Sequence, residues 1–365
     1  MTRSSFSRFI YICGIVVFGA SFALNNNALA EESFSTWVHK LWPEAQRAGV
    51  SKPTFDRIFA RMTVNCHQPD VSCGKSRQPR VPLSDHTGLP ATCNKVAQKE
   101  FLQPDKYFPP AYLRRLALRG REILRELKSK DRPVYRSITD VERNFRVSRL
   151  VLMGIWGRET AFGEAPLDYN AVQALASSAY AGIKSRRAFA RRQLLAALVM
   201  IERGEVTYAN FRASYAGATG LTQIMPHEYL KFAVDADLDG RKDVWRSVAD
   251  SMATTANILK DRGWQSSDRS WGYEVVSRGK MLNCTLEGPK NRWPIRRWMK
   301  EHGLKRVPRN DIEQPRFPNP ANDAYLLAPA GTRGPAFLVT GNFDVLRRYN
   351  PSELYALFVG HCRSR

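Results

Sequence analysis

The sequence predicts a mainly α-helical protein carrying one small β element. Three observations support this. Apolar residues recur at three- and four-residue spacing along much of the chain, and Ser, Thr and Pro stand where such stretches begin. Prolines recur from Thr285 to Pro335, where the runs DAYLLAPAG and GPAFLVTG have the make-up of a hairpin. No internal repeat of solenoid or propeller length is present.

The chain of 365 residues opens MTRSSFSRFIYICGIVVFGASFALNNNALAEE. Two arginines, an apolar run from about Phe9 to Leu24 and the small residues around Ala28-Leu29-Ala30 predict an export leader over residues 1–30, cleaved near Ala30. The run is short for a span and no positive residues follow it, so no stable membrane anchor is expected; Cys13 lies behind Ile12, a poor setting for lipidation. The expected location is the periplasm or the outside of the cell.

Against 34 acidic residues stand 56 basic ones, a net charge of +22; the leader takes two arginines and no acids, leaving 54 against 34, or +20. Such a balance favours polyanions, and for an exported chain these are anionic lipid or a cell wall bearing peptide carboxylates. No recognised aromatic-basic motif interrupts the arginines, which argues against nucleic acid as a partner.

Five cysteines follow the leader: Cys66, Cys73, Cys93, Cys284 and Cys362. An oxidising compartment predicts one or two disulfides and one thiol left over. The C-x6-C-x19-C spacing fits no zinc pattern, so a local loop disulfide is expected there; Cys284 with Cys362 would tie the β region to the last helix.

Taken in order, Thr36 to Met62 read as two short helices. Gly49 stops the first, Ser51 caps the second with Pro53 in its opening turn, and Phe55, Ile58, Phe59 and Met62 form one face. Residues 63–104, rich in Pro, Ser, Gly and Cys, form an extended connection. A long helix is predicted from Pro110 to about Lys128, with Tyr112, Leu113, Leu116, Ile123, Leu124 and Leu127 inward. Thr139-Asp140-Val141-Glu142 has capping-box form and predicts the start of another. Ser148 starts the next, with Val147 and Leu152 as a hydrophobic staple. A helix from Arg187 to Arg203 should bury Phe189, Leu194, Leu198 and Ile201, and Ser352 starts the final helix in NPSELYALFVG.

The helix from Ser148 carries GIWGRETAFGE, which places Glu159 in line with Val151 and Ile155 on an apolar stripe. Partial desolvation and the negative end of the helix dipole both disfavour its charge, so it should titrate at ~6 rather than ~4. A carboxyl so placed is ready to give up a proton near neutrality. A pairing with one of the many arginines is the alternative, although Ile155, Phe162 and Gly163 at the facing helical positions supply no charge.

Glu159-Thr160 with Phe162-Gly163, then SYAGATGLTQIMP (Ser214–Pro226), DADLDGRKDVW (Asp235–Trp245), Gly263-Trp264 and RRYNPSELYALFVG resemble, in order, the lytic murein transglycosylases of the membrane-bound B type. The resemblance runs from about Arg146 to Cys362 and more weakly through the helices from Thr36. It implies a lysozyme-like helical catalytic core (146–365, including an EF-hand-like loop and a small β insertion) behind an N-terminal helical region with a Cys-containing loop (31–145). It implies cleavage of the MurNAc-β-1,4-GlcNAc bond of peptidoglycan with a 1,6-anhydromuramyl end, Glu159 acting as acid and then base. A single carboxylate suffices, because the muramyl 6-hydroxyl replaces water as nucleophile. A hydrolytic muramidase on the same fold and a non-catalytic wall or polyanion binder are the alternatives.

The same resemblance implies that Ser214 hydrogen-bonds near the acid, and that Gln223, Tyr349, Asn350 and Tyr355 contact the saccharide. For Ser214 a tight turn without ligand, and for Tyr355 core packing, are the alternatives. Ile258 stands where relatives commonly carry a tyrosine, which removes one hydroxyl from the expected site. Asp235, Asp237 and Asp239 before Gly240 read as the first half of a calcium loop, with Arg241 giving its carbonyl. Position twelve is Arg246, which cannot ligate; the family's longer loop implies Asp250 as the closing acid. A solvated turn is the alternative to structural calcium. No cofactor is expected for catalysis, the expected partner is the glycan strand, and the expected state is a monomer.

Overall fold

The computed structural model describes residues 32–73, 110–266, 270–277, 284–307, 316–329 and 335–364. The leader, the connection beyond Cys73 with Cys93, and the side chains of Cys284 and Cys362, hence their pairing, lie outside the description.

Ser33 caps α1 (Phe34–Arg47) by accepting the Thr36 N–H, and Gly49, at φ +93°, turns the chain after it. Ser51 caps α2 (Lys52–Phe59) as expected, with Pro53 in its first turn. The Cys66–Cys73 disulfide follows α2, ahead of α3 (Pro110–Lys130). Its loop buries Gln68 and Asp70, and Gln68 Nε2 donates to the Ala174 carbonyl at 3.2 Å and to Ser178 Oγ at 2.6 Å.

On α3 the expected inward residues Leu113, Leu116 and Ile123 are buried. The following helix corrects the sequence reading. α4 (Arg132–Phe145) runs straight through Thr139, whose hydroxyl back-bonds to the Tyr135 carbonyl at 2.9 Å. The true cap is Asp131, which accepts the Val134 N–H at 3.2 Å, with Pro133 in the first turn. Glu142 serves elsewhere, pairing with Arg149 at 2.7 Å and accepting its N–H.

Ser148 caps α5 (Arg149–Thr160), and Val147 and Leu152 are both fully buried. The helix has no single stripe: every residue from Val151 to Gly157 is buried, because α3 and α4 and two later helices cover it.

β1 (Tyr169–Asn170) leads into α6 (Ala171–Ala181), which packs along α7 (Lys184–Glu202). Leu194 and Leu198 are buried there and Ile201 half-buried, but Phe189 is 41% exposed, a second correction: it sits near the helix's basic first half, under Arg192 at 5.9 Å. β2 (Arg212–Ala213) returns antiparallel to β1, pairing Ala213 with Tyr169. α8 (Pro226–Phe232) and α9 (Val248–Asp261) follow. α1 and α2 rest on α7 and share its apolar cluster, while α4 rests on α9.

The β element is larger than a hairpin. β3 (Gly272–Ser277), β4 (Trp293–Pro294), β5 (Leu304–Arg306), β6 (Asp323–Leu327) and β7 (Ala336–Thr340) form an antiparallel sheet in the order β4-β6-β7-β3-β5. The expected hairpin is its centre, with Ala324 opposite Thr340 and Leu326 opposite Leu338. A helix, α10 (Ile295–His302), caps one face with Trp298 fully buried. From β7 the chain enters α11 (Gly341–Tyr349) and then α12 (Glu353–Ser364), which packs on α5. The sheet therefore holds the two helices that bring Tyr349 and Tyr355 to the end of α5.

Candidate active site

Glu159 lies in the last turn of α5, only partly exposed, just before Ala161 takes a left-handed conformation at φ +49°. Burial pushes its carboxyl up from 4.5 to about 7; the Tyr355 hydroxyl and the Arg158 charge pull the other way and are outweighed. The sequence reading anticipated the direction and the desolvation behind it. No carboxylate is among the groups acting on it, and no ion pair forms on it among the described residues.

Tyr355, in the first turn of α12, is almost wholly buried and its hydroxyl faces Glu159. That hydroxyl reaches no partner at full hydrogen-bond geometry, so the contact with Glu159 is a long or poorly aligned one. Its ring stacks on Tyr349 at 6.4 Å and 20°. Tyr349 in turn donates to the Thr222 carbonyl at 2.7 Å, which ties the end of α11 to the Ser214–Pro226 loop. The loop itself is held to α9, since Thr222 Oγ1 meets Ser251 Oγ at 3.0 Å and takes the Thr255 hydroxyl at 2.8 Å.

Three expected residues are engaged locally. Asn350 Oδ1 accepts the Ser352 N–H at 3.2 Å, shaping the turn between α11 and α12. Gln223, at φ +56°, donates Nε2 to the Gly220 carbonyl at 3.1 Å. Ser214 closes a tight turn through its backbone, its N–H on Ala218 O at 2.8 Å and its carbonyl taking the Gly217 N–H. Its hydroxyl makes no hydrogen bond to Glu159 among the described residues. A side chain at Gly217, where φ is +84°, would meet Leu175 at 2.4 Å, so the small-residue run is needed for packing.

Sequence reasoning missed the support beneath Tyr349. Arg262 lies 5.4 Å over its ring and pairs with Glu228, both mostly buried. Burial raises the Glu228 carboxyl, against the pull of Arg262. The two residues are 34 apart and share no motif, so no local signal joins them. Ile258 is fully buried in apolar surroundings, and no hydroxyl stands in its place.

The acidic loop brings Asp235, Asp237 and Asp250 together, with one oxygen of each within 4.8 Å of the others. Asp250 is fully buried. Desolvation raises its carboxyl, while the N–H groups of Ala236 (2.8 Å) and Asp243 (2.8 Å) hold it down. Asp239 stands outside the cluster and accepts the Arg241 N–H at 2.8 Å. An all-oxygen, triply acidic set at this spacing suits a hard divalent cation.

A match to the transglycosylase SLT domain covers residues 33–364. The chain belongs to that family. The family chain is 28% identical, over 209 residues, to the membrane-bound lytic murein transglycosylase B of Escherichia coli K12; the match takes in 57% of this chain and 54% of that protein. The chain thus aligns with about half the length of that curated relative. Among solved structures it superposes on SltB3 of Pseudomonas aeruginosa, crystallised with NAG-NAM-pentapeptide, with a TM-score of 0.70 at 30% identity, covering 91% of this chain and 79% of that one. It shares its fold with the Escherichia coli lytic transglycosylase Slt35 in complex with bulgecin A, with a TM-score of 0.64 at 19% identity over 92% of this chain and 93% of that one. The mainly α, lysozyme-like class expected from the sequence is the class observed.

Proposed function

We propose that the chain is an exported peptidoglycan lytic transglycosylase that cleaves the MurNAc-β-1,4-GlcNAc bond and leaves 1,6-anhydromuramyl ends. The observation that supports it most is one isolated carboxyl, Glu159, poised at about 7 without a second carboxylate acting on it. At neutral pH a large share of Glu159 is protonated and can give its proton to the glycosidic oxygen. The resulting carboxylate, steadied by Tyr355 and Arg158, takes the proton of the muramyl 6-hydroxyl as that oxygen attacks the anomeric carbon. A hydrolase of the two-carboxylate type would need a partner acid at a fixed distance. The SltB3 structure with a NAG-NAM-pentapeptide supports a peptide-bearing glycan as the substrate class. No helix among the described residues is long and apolar enough to cross a membrane.

Digestion of purified sacculi with mass analysis of the products tests this. Glu159→Gln should lose activity by about 10²–10⁴-fold while still sedimenting with sacculi. Anhydro ends are expected from the parent; reducing ends would make it a muramidase, and undiminished digestion by the variant would remove Glu159 from the mechanism.

We further propose that Asp235, Asp237 and Asp250 hold one structural calcium ion, with Asp239 and the Arg241 carbonyl closing in as the loop tightens. The ion would offset the mutual repulsion of these acids; burial is the main cause that raises Asp250, and the Asp237 charge adds to it. Calcium should raise Tm and a chelator lower it, with Asp237→Asn insensitive to both; an unchanged Tm in the parent would refute the site.

A further inference from the structure

A groove of about 910 Å³ lies beside the catalytic helix and includes none of Glu159, Ser214, Gln223, Tyr349 or Tyr355. Thr160 and Gly163 form part of its wall, so it begins one residue past the acid. The wall between is firm: the Thr160 hydroxyl donates to the Leu221 carbonyl at 2.7 Å, and the Leu221 N–H to the Val244 carbonyl at 2.9 Å.

Five cations line this groove: Arg203, Arg212, Arg241, Lys242 and Arg246. They come from three separate segments, the end of α7, β2 and the loop after Gly240. All five are exposed, and none forms an ion pair among the described residues. The two carboxylates in the lining are already engaged. Glu205 takes the Tyr229 hydroxyl at 3.0 Å, and Asp243 takes the N–H groups of Trp245 and Arg246 at 3.0 and 2.9 Å. A basic chain must expose surplus cations somewhere. Convergence of five unpaired ones on a single concavity leaves a strong uncompensated field there.

We propose that this groove is a second binding site, which takes the carboxylates of a peptidoglycan stem peptide while the glycan lies against Glu159. The inference rests on the wall-cleaving reading above. Arginines present planar forks suited to carboxylates, and several free carboxylates are spaced along a stem peptide. The groove's place beside Thr160 sets it next to the strand being cut.

The test uses Arg203→Gln/Arg212→Gln/Arg246→Gln, three exposed positions that make no side-chain bond within the protein, and a matched triple Lys variant. Binding is measured by sedimentation with intact sacculi and with sacculi stripped of stems by an amidase. The parent should prefer intact sacculi, and low salt should widen the preference. The Gln variant should lose that preference by about tenfold in affinity, the Lys variant should keep most of it, and cleavage of stripped strands should be unchanged in both. Equal preference in the parent and the Gln variant would overturn the inference, as would an equal loss on both kinds of sacculi, the mark of unselective polyanion attraction. If the parent binds with this preference yet cleaves neither substrate, the catalytic reading fails and the groove stands.

Discussion

Glu159 holds its proton more tightly in the fold than a free glutamate does, at about 7 against 4.5, because burial disfavours the charge. Between those values the native state carries more protons than the unfolded chain, so the term is fully stabilising below pH 4.5 and is lost as pH rises through 7. Glu159→Gln should therefore melt higher than the parent at pH 8, by an amount worth about 1–3 kcal/mol, and nearly coincide with it at pH 4. Thermal melts across that range check this. In activity the same sign appears as a fall in kcat/KM above pH 7. Tyr355→Phe removes a hydroxyl that favours the carboxylate, so the falling limb should move to higher pH while kcat drops. An unmoved limb would detach Tyr355 from the acid. Glu159 stood out in the sequence because Val151, Ile155 and Trp156 set it in apolar context within just over two turns of helix. The resemblance implied Tyr355 only as a saccharide contact; that it is buried and faces Glu159 left no local signal, since the two lie on different helices. The Glu228–Arg262 pair left no trace in any local pattern.

At the scale of single elements, what could be read was what is local. The caps Ser51, Ser148 and Ser352 act within three residues, and the β6–β7 hairpin declares itself by two short apolar runs. The helix α6 could not be read, because AVQALASSAYA is buried on nearly every side and shows no amphipathic period. Thr139 misled for a related reason: a capping-box pattern is short, and Asp131 with Pro133 supplied the earlier, stronger start. The Cys66–Cys73 loop shows how a short local bridge gains a tertiary role, since it presses Gln68 and Asp70 onto α6 at Ser178. Replacing both cysteines with serine should cost about 2 kcal/mol in urea unfolding, through the freedom returned to the unfolded loop. Reductant should destabilise the parent by the same amount and leave the variant untouched; equal sensitivity of both would mean the bridge contributes nothing.

At the scale of the whole molecule, the site is assembled by two bodies of structure whose docking no local pattern encodes. The helical bundle presents Glu159 at the end of α5, and the five-stranded sheet presents α11 and α12. Their junction depends on Gly360 in α12, where an added Cβ would lie 2.2 Å from Cε2 of Trp271, the residue leading into β3. Trp271 cannot swing aside, because it packs on Phe337 and Phe343 with ring centroids 6.0 and 6.2 Å away. Gly360→Ala should thus force α12 off the sheet and cost about 1–3 kcal/mol by overpacking, although alanine favours a helix more than glycine does. The displacement also carries Tyr355, which rides on the same helix five residues earlier. Below its melting temperature the variant should then behave in part like Tyr355→Phe, with its alkaline limb moved upward and its kcat reduced. A variant that is destabilised but keeps the parent's pH profile would show that α5 and α12 hold the site without help from the sheet.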